Sequence, residues 1–149
     1  MDNYTRSKKS KLPTVNVRND TKKVYADCRH IEVISEFHLK RLSDLICRDF
    51  GVESIPVEFE GREPHKKRGG KLSRKTHGIF SQSGFGTNRR IHIYKYTAAR
   101  QQIRASKAAT STLLHEIIHY FDYEITKLSN SIHSSGFYQR ISQLQDMLS

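Results

Sequence analysis

The sequence predicts one small α+β domain. We expect a three-stranded antiparallel or mixed sheet packed on an N-terminal helix and a longer central helix, with a further helix at the C-terminus. Two patterns predict this class. Apolar residues recur at helical spacing in three segments, which predicts three helices. Between the first and second of these helices, short segments alternate apolar and polar residues, which predicts strands. The length of 149 residues suffices for one compact domain and is short for two.

The first helix is predicted over residues 31–50. Leu39, Leu42 and Ile46 follow one another at i, i+3 and i+7, which places them on one face. Gly51 comes directly after the pattern ends, where a glycine commonly terminates a helix.

Three strands are predicted next. Residues 55–59 alternate apolar and polar side chains, and residues 78–81 and 90–96 have the same character. Between the first two strands, residues 61–77 form a glycine-rich basic loop. Such a segment is either a solvated hairpin connection or a mobile phosphate-binding loop.

The N-terminal segment has a different composition. Residues 1–25 are polar and basic and show neither helical nor strand periodicity, so we expect a disordered arm there. The folded domain is then expected to cover residues 26–149.

The charge is strongly positive and unevenly distributed. The formal net charge is +11, with 24 basic and 11 acidic residues in the first 110 positions and 2 basic and 4 acidic residues in the remainder. Such a field favours polyanions, most plausibly nucleic acid, although solubility alone would also explain it. We expect non-specific contacts with phosphate through the N-terminal arm and the basic loop, whose relevant residues are Lys66, Lys67, Arg68, Arg74 and Lys75.

Nothing in the sequence indicates a membrane span or a secretory signal. Cys28 and Cys47 form no CxxC pair and are expected to be reduced thiols that are half-buried in helices. We therefore expect a cytoplasmic monomer, which associates with DNA or the nucleoid if the basic segments bind nucleic acid.

The central helix is predicted from about residue 107 to residue 128 and carries His115, Glu116 and His119 in an HExxH pattern. On a helix, residues i and i+4 project from one face with Cβ atoms about 6 Å apart, so both imidazoles can reach one Zn²⁺. Glu116 can reach a water on that metal without being a ligand. The alternative is two surface histidines on an amphipathic helix.

A hydrolytic zinc site needs a third protein ligand and one open position. Asp122 shares the face of His115, but seven residues rise about 10.5 Å along a helix, too far for both to bind one ion. We expect Asp122 to be an outer-shell acceptor or a surface acid. His133 follows a chain reversal ahead of the last helix, and is the better candidate for the third ligand.

The segment Thr112–His119, followed by His133 and Phe137, resembles the SprT-like zinc metallopeptidase family, which includes Spartan. His133 lies fourteen residues after His119, and Phe137 lies four residues after His133, as in that family. Ser134 stands where the family usually has glycine. The resemblance implies a minimal zincin-like domain, Zn²⁺ held by His115, His119 and His133, and Glu116 as the catalytic base.

The resemblance also implies an endopeptidase that acts on peptide bonds, including those of DNA-associated proteins. One alternative is a nucleic-acid-binding module with a structural or degenerate zinc site. Another is a metallohydrolase that cleaves a different bond. An additional donor for the developing oxyanion is expected, and the sequence leaves five candidates open: Tyr94, Tyr96, Tyr138, His92 and His77.

Overall fold

The computed structural model describes residues 1–68, 71–75, 77–82, 89–98 and 102–149, with the side chains of all of these except residues 65–68 and 71–75. The helices in these ranges are α1 (Asn3–Lys9), α2 (Asn19–His30), α3 (Glu36–Phe50), α4 (Ser106–Glu124) and α5 (Ser135–Leu148). The strands are β1 (Val57–Phe59), β2 (His65–Arg68), β3 (Lys71–Lys75), β4 (Gly78–Ser81) and β5 (Arg90–Ile93). The predicted α+β class is confirmed.

The main sheet is mixed and has the strand order β1-β5-β4. β1 pairs in parallel with β5, with Val57 opposite Ile91, and β4 pairs antiparallel with β5, with Gly78 opposite Ile93. α4 packs against β4 and β5, and α3 packs against β1. β4 therefore forms an edge of the three-stranded sheet directly beside the HExxH helix.

The hydrophobic core lies between the sheet and the helices. It is built from the apolar faces that the sequence predicts on α3, α4 and β5, together with residues of α5. Its fully buried members include Leu39, Leu42, Ile46, Ile91, Ile93, Leu114, Ile117, Phe121 and Phe137. No helix in the described part of the chain has both the length and the apolar character that crossing a membrane requires.

α3 is shorter than predicted because it has a strong start signal at Ser35. The Ser35 side chain and the backbone at His38 form one bond of a capping box, and the His38 side chain and the Ser35 backbone form the other. The helix therefore begins at Glu36 rather than at residue 31. It ends at Gly51, which adopts the left-handed conformation expected of a terminating glycine (φ 71°).

The prediction of a disordered arm over residues 1–25 is wrong. α1 and the first part of α2 lie within this segment, and the Leu12 and Val17 side chains between them belong to the buried core. The folded unit thus begins at α1, and the predicted boundary at residue 26 falls inside α2.

The sequence pattern that indicates α2 covers only three buried positions. Its buried residues are Thr21, Tyr25 and Cys28, at spacing i, i+4 and i+7, which is one helical face carried by residues of modest hydrophobicity. Basic residues dominate the composition of this segment, so the periodicity of the buried face is weak in the sequence. Both Cys28 and Cys47 are buried free thiols in helices, more deeply buried than expected.

The segment predicted as a basic loop contains backbone pairing. β2 and β3 form an antiparallel pair in which His65 lies opposite Lys75 and Arg68 opposite Lys71. The overlooked signal is Gly69-Gly70, a dipeptide typical of two-residue hairpin connections. The side chains of the five basic residues expected to contact phosphate lie outside the described part, so that role stays a prediction.

Candidate metal centre

α4 presents the predicted zinc ligands on one face and the core on the other. Leu114, Ile117 and Ile118 are at most 1% exposed and face the sheet and neighbouring helices. His115 and His119 lie one turn apart on the other face, with their ring centroids separated by 5.0 Å. The spacing of the HExxH pattern therefore places both rings beside one cavity.

The segment between α4 and α5 folds His133 back over α4. Its Nε2 atom lies 3.2 Å from Nε2 of His115 and 3.0 Å from Nε2 of His119. Two ligands held at 2.0–2.1 Å by one tetrahedral metal ion are about 3.3 Å apart. The spacing of the three nitrogens therefore fits a single metal ion, and the three histidines form one candidate ligand group.

The Phe137 ring packs against the three imidazole rings. Its ring is fully buried and lies 4.9 Å from the ring of His115, 4.5 Å from that of His119 and 5.0 Å from that of His133, centroid to centroid. Because it contacts all three rings, Phe137 restricts their orientations before any ion binds.

The tautomer of His119 is set by a chain of hydrogen bonds. The Ser131 hydroxyl donates to Oδ2 of Asp122 (2.7 Å), so its oxygen is left to accept from Nδ1–H of His119 at 2.7 Å. Nε2 of His119 then carries the lone pair that a metal requires. Asp122 is thus a buried acceptor that orients Ser131, and not a surface acid, and sequence reasoning missed Ser131.

Asp122 is held by a second residue that sequence reasoning missed. Arg140 on α5 donates from Nε and Nη2 to the two carboxylate oxygens of Asp122 at 2.8 and 3.0 Å, and both side chains are fully buried. Nη1 of Arg140 donates to the carbonyl oxygens of Ser7 and Ser10. The signal was present, because Arg140 lies three residues after Phe137 on the face expected to be apolar.

α1 braces the segment that carries His133. The Asn3 side chain bonds the backbone of Asn130, and the Arg6 guanidinium donates to the carbonyl oxygen of Lys127 at 3.1 Å. Ser7 and Ser134 share a buried hydroxyl–hydroxyl bond of 2.7 Å. The third histidine is therefore positioned partly by the segment that was expected to be disordered.

Both histidines of α4 are held in the neutral form that binds metals. Burial, together with the charges of His133 and His77, lowers the pKa of His115 to about 4. Burial, together with His115 and His133, lowers the pKa of His119 to about 3.

Glu116 is 4% exposed and lines the cavity beside the three histidines. Its Oε1 atom lies 4.0 Å from Nε2 of His115, and its Oε2 atom is buried and has no hydrogen-bond partner among the described residues. Burial raises the pKa of Glu116 to about 7. A carboxyl group with this pKa can accept and return a proton near neutral pH.

The site opens into a cavity of about 610 Å³ between α4 and β4. The close approach of the two elements depends on Gly78, because a Cβ atom there would lie 2.8 Å from Cγ2 of Thr112 and 3.4 Å from Cγ of Glu116. The absence of a side chain at this position lets an edge strand run directly past the candidate catalytic carboxylate.

Of the five residues considered as oxyanion donors, the structure places only His77 in the lining of this cavity. His92 has Nδ1 3.1 Å from a carboxylate oxygen of Glu58 and Nε2 3.0 Å from the carbonyl oxygen of Glu60. These contacts occupy both ring nitrogens, although Glu58, Glu60 and His92 form a second group of potential metal ligands.

No family model matches the chain, and neither a curated protein nor a solved structure matches it. The resemblance to the SprT-like family therefore stays a prediction.

Proposed function

We propose that this chain is a zinc-dependent endopeptidase of SprT-like, zincin-like type. The observation that carries the proposal is the convergence of three histidine nitrogens beside the buried Glu116 carboxylate, with Nε2 of His133 3.2 Å from that of His115 and 3.0 Å from that of His119. The free Oε2 atom of Glu116 and the neutral state of His115 and His119 support it, since a hydrolytic zinc site needs a proton acceptor and deprotonated ligands.

In this proposal His115, His119 and His133 hold the metal. When bound, Zn²⁺ supplies a Lewis acid that lowers the pKa of a coordinated water to about 7 and polarises a carbonyl group. Glu116 accepts the proton from the attacking water and gives it to the nitrogen of the leaving amine. Ser131 and Asp122 keep Nδ1 of His119 protonated, so that its Nε2 remains a ligand.

A peptide substrate fits the cavity better than a small molecule because one wall is a sheet edge. β4 ends the strand order of the main sheet, and Ile79 on this strand is 40% exposed. An extended peptide can bind such an edge through its backbone, adding a strand whose scissile bond passes over Glu116. This feature favours peptide hydrolysis over cleavage of another bond type.

The alternative is a nucleic-acid-binding module whose zinc is structural, and such a site needs a fourth strong protein ligand. The candidate ligand group around His115 contains three histidines within the described part of the chain. Both oxygens of Asp122 are bonded to Arg140, and Cys28 and Cys47 are buried in α2 and α3. The donor set therefore favours an open site.

Nucleic acid is proposed as the setting in which the peptidase acts, on the ground of the net charge of +11. Contacts with phosphate release counterions, so affinity is expected to fall steeply between about 50 and 200 mM salt. The test is fluorescence anisotropy with two unrelated oligonucleotides over a salt series. Neutralising Lys66, Lys67, Arg68, Arg74 and Lys75 should flatten the salt dependence while zinc content is unchanged.

The peptidase proposal is tested by casein cleavage and self-cleavage with zinc-loaded protein, with chelator, and after zinc is added back. Wild type should be active, lose activity with chelator and regain it with zinc. Glu116→Gln should bind one zinc ion and fold normally yet lose activity by orders of magnitude, because the amide cannot accept the proton. Equal turnover of Glu116→Gln and wild type at equal zinc content would refute the mechanism.

A further inference from the structure

His77 lies at the mouth of the catalytic cavity, immediately before the edge strand β4. Its side chain is 55% exposed and lines the same cavity as His115, Glu116 and His133. The carbonyl oxygen of His77 accepts a backbone hydrogen bond from Tyr94, which fixes the main chain at this point. The imidazole is thus anchored at its backbone and open toward the place where a substrate carbonyl would lie.

The His77 ring is held by a buried ion pair. Arg104 is 6% exposed and Glu63 is 2% exposed, and Nη2 of Arg104 donates to Oε2 of Glu63 at 2.7 Å. Nη1 of Arg104 lies 3.1 Å from Nδ1 of His77, and Oε1 of Glu63 lies 3.0 Å from the same nitrogen. Burying an ion pair costs free energy because both charged groups lose their water. The Arg104–Glu63 pair is buried beside Nδ1 of His77, on the side of the ring that faces the protein.

These contacts determine which ring nitrogen of His77 carries the proton. Oε1 of Glu63 is close to Nδ1 of His77 but makes no hydrogen bond within the described part of the chain. A guanidinium group can only donate, so the bond from Arg104 requires a lone pair on Nδ1 of His77. The proton of the neutral ring is then on Nε2, the nitrogen farther from the Arg104–Glu63 pair. Nε2–H is a neutral, pre-oriented hydrogen-bond donor.

Three other side-chain donors that line the cavity are already engaged. The Tyr123 hydroxyl donates to Oδ1 of Asn130 at 3.1 Å, and the Thr112 hydroxyl donates to the carbonyl oxygen of Ala108 at 3.0 Å. Nδ1–H of His119 is used by Ser131. The exposed hydroxyl of Ser111 is the competing donor, and the experiment below includes it.

We propose that His77 is a catalytic residue that donates a hydrogen bond from Nε2–H to the oxygen of the scissile carbonyl as negative charge develops there, and that Arg104 and Glu63 are its positioning residues. The proposal rests on the peptidase function proposed above. The bond to His77 strengthens without transfer of its proton, because the proton of the attacking water goes to Glu116. Removal of one such donor typically lowers kcat by about 10²–10³-fold.

The kinetic test compares zinc-loaded variants on one quenched fluorescent casein substrate. His77→Ala should bind one zinc ion and lower kcat by about 10²–10³-fold with little change in KM. His77→Gln should recover part of kcat, because its side-chain amide can place an N–H near the position of Nε2. His30→Ala, which removes an exposed histidine at the end of α2, is the matched control and should retain wild-type kcat.

A second readout does not depend on activity. Long-range ¹H–¹⁵N correlation spectra of histidine-labelled protein at pH 8 should show His77 in the Nε2–H tautomer. Arg104→Lys, which keeps the charge but loses the fork of donors, should shift the Nδ1 resonance of His77 and lower kcat in the same direction as His77→Ala. An Nδ1–H tautomer in the wild type would overturn the assignment of the donor.

The outcomes also separate this proposal from the peptidase function. If Glu116→Gln is inactive while His77→Ala keeps full kcat, or if Ser111→Ala reproduces the loss expected of His77→Ala, the peptidase stands and the role of His77 is refuted. If zinc-loaded Glu116→Gln is as active as wild type, the peptidase mechanism fails, and the role of His77 fails with it.

Discussion

Substitution of Arg140 by alanine should destabilise the whole domain and not only the metal centre. The Arg140 side chain is fully buried. Its guanidinium group donates hydrogen bonds to both oxygens of the equally buried Asp122 and to the carbonyl oxygens of Ser7 and Ser10. Removing one partner of a buried ion pair typically reduces the free energy of unfolding by about 3–5 kcal/mol. That is a large part of the roughly 5–15 kcal/mol that a domain of this kind possesses.

The matched control is Arg48→Ala. Arg48 also makes several short bonds to carboxylates, at 2.8 and 3.0 Å to Asp20 and at 3.0 Å to Asp49, but the Asp20 side chain is 53% exposed. Solvent can replace the lost partner of Asp20. The Asp49 carboxylate is fully buried but keeps hydrogen bonds from the Arg18 backbone N–H and the Thr21 hydroxyl, so the effect should be smaller than that of Arg140→Ala.

The assay is thermal unfolding followed by circular dichroism, with zinc and with chelator. A loss of 3–5 kcal/mol in a chain of this length corresponds to a decrease in Tm of about 6–20 °C for Arg140→Ala. Since α1 is fastened through Arg140, limited proteolysis should also cut between α1 and α2 sooner than in wild type. A decrease in Tm no larger than that of Arg48→Ala would refute the reasoning.

A double-mutant cycle isolates the ion pair. Asp122→Ala and Arg140→Ala each leave one buried charge without its partner, whereas the double variant leaves neither. The double variant should therefore lose less stability than the sum of the single variants, by about 0.5–3 kcal/mol. Additive losses would show that the two side chains act independently.

Three further predictions follow from the same contacts. Gly136→Ala would place a methyl group against the carbonyl oxygen of Ser7, so α1 should detach and proteolysis between α1 and α2 should accelerate. Burial raises the pKa of Cys28 to about 11 and that of Cys47 to about 12, so both thiols should stay protonated and react slowly with Ellman's reagent at pH 8 until the protein is unfolded; fast reaction of the native protein would contradict this. His133→Ala should lose most of the zinc measured by atomic emission after gel filtration, and full retention would remove His133 from the ligand set.

Much of the fold follows from local sequence patterns. The apolar faces of α3, α4 and α5, and the role of Gly51, depend on neighbours within one or two helical turns, which a sequence displays directly. The parallel pairing of β1 with β5 depends on contacts between distant segments, and strand alternation alone does not select a partner.

The candidate site likewise combines features that depend on near neighbours in the sequence with features that depend on distant segments. The separation of His115 and His119 is fixed by the helix, and the chain reversal before α5 brings His133 to them, as the sequence suggested. The buried supports were not predicted, because Arg140, Ser131 and the Arg104–Glu63 pair act through contacts that join distant parts of the chain. The position of Arg140 on the apolar face of α5 is visible in the sequence, but the other buried polar residues carry no periodic signal, and the sequence does not predict α1 for the same reason.

The central claim is that three histidines hold one zinc ion with a position open to water and substrate. Zinc K-edge X-ray absorption of the loaded protein measures this most directly. We expect three imidazole nitrogens and one solvent oxygen at about 2.0–2.1 Å from the zinc ion, with the solvent oxygen replaced when a hydroxamate is added. A closed shell of four protein ligands, or a sulfur atom at about 2.3 Å, would contradict it.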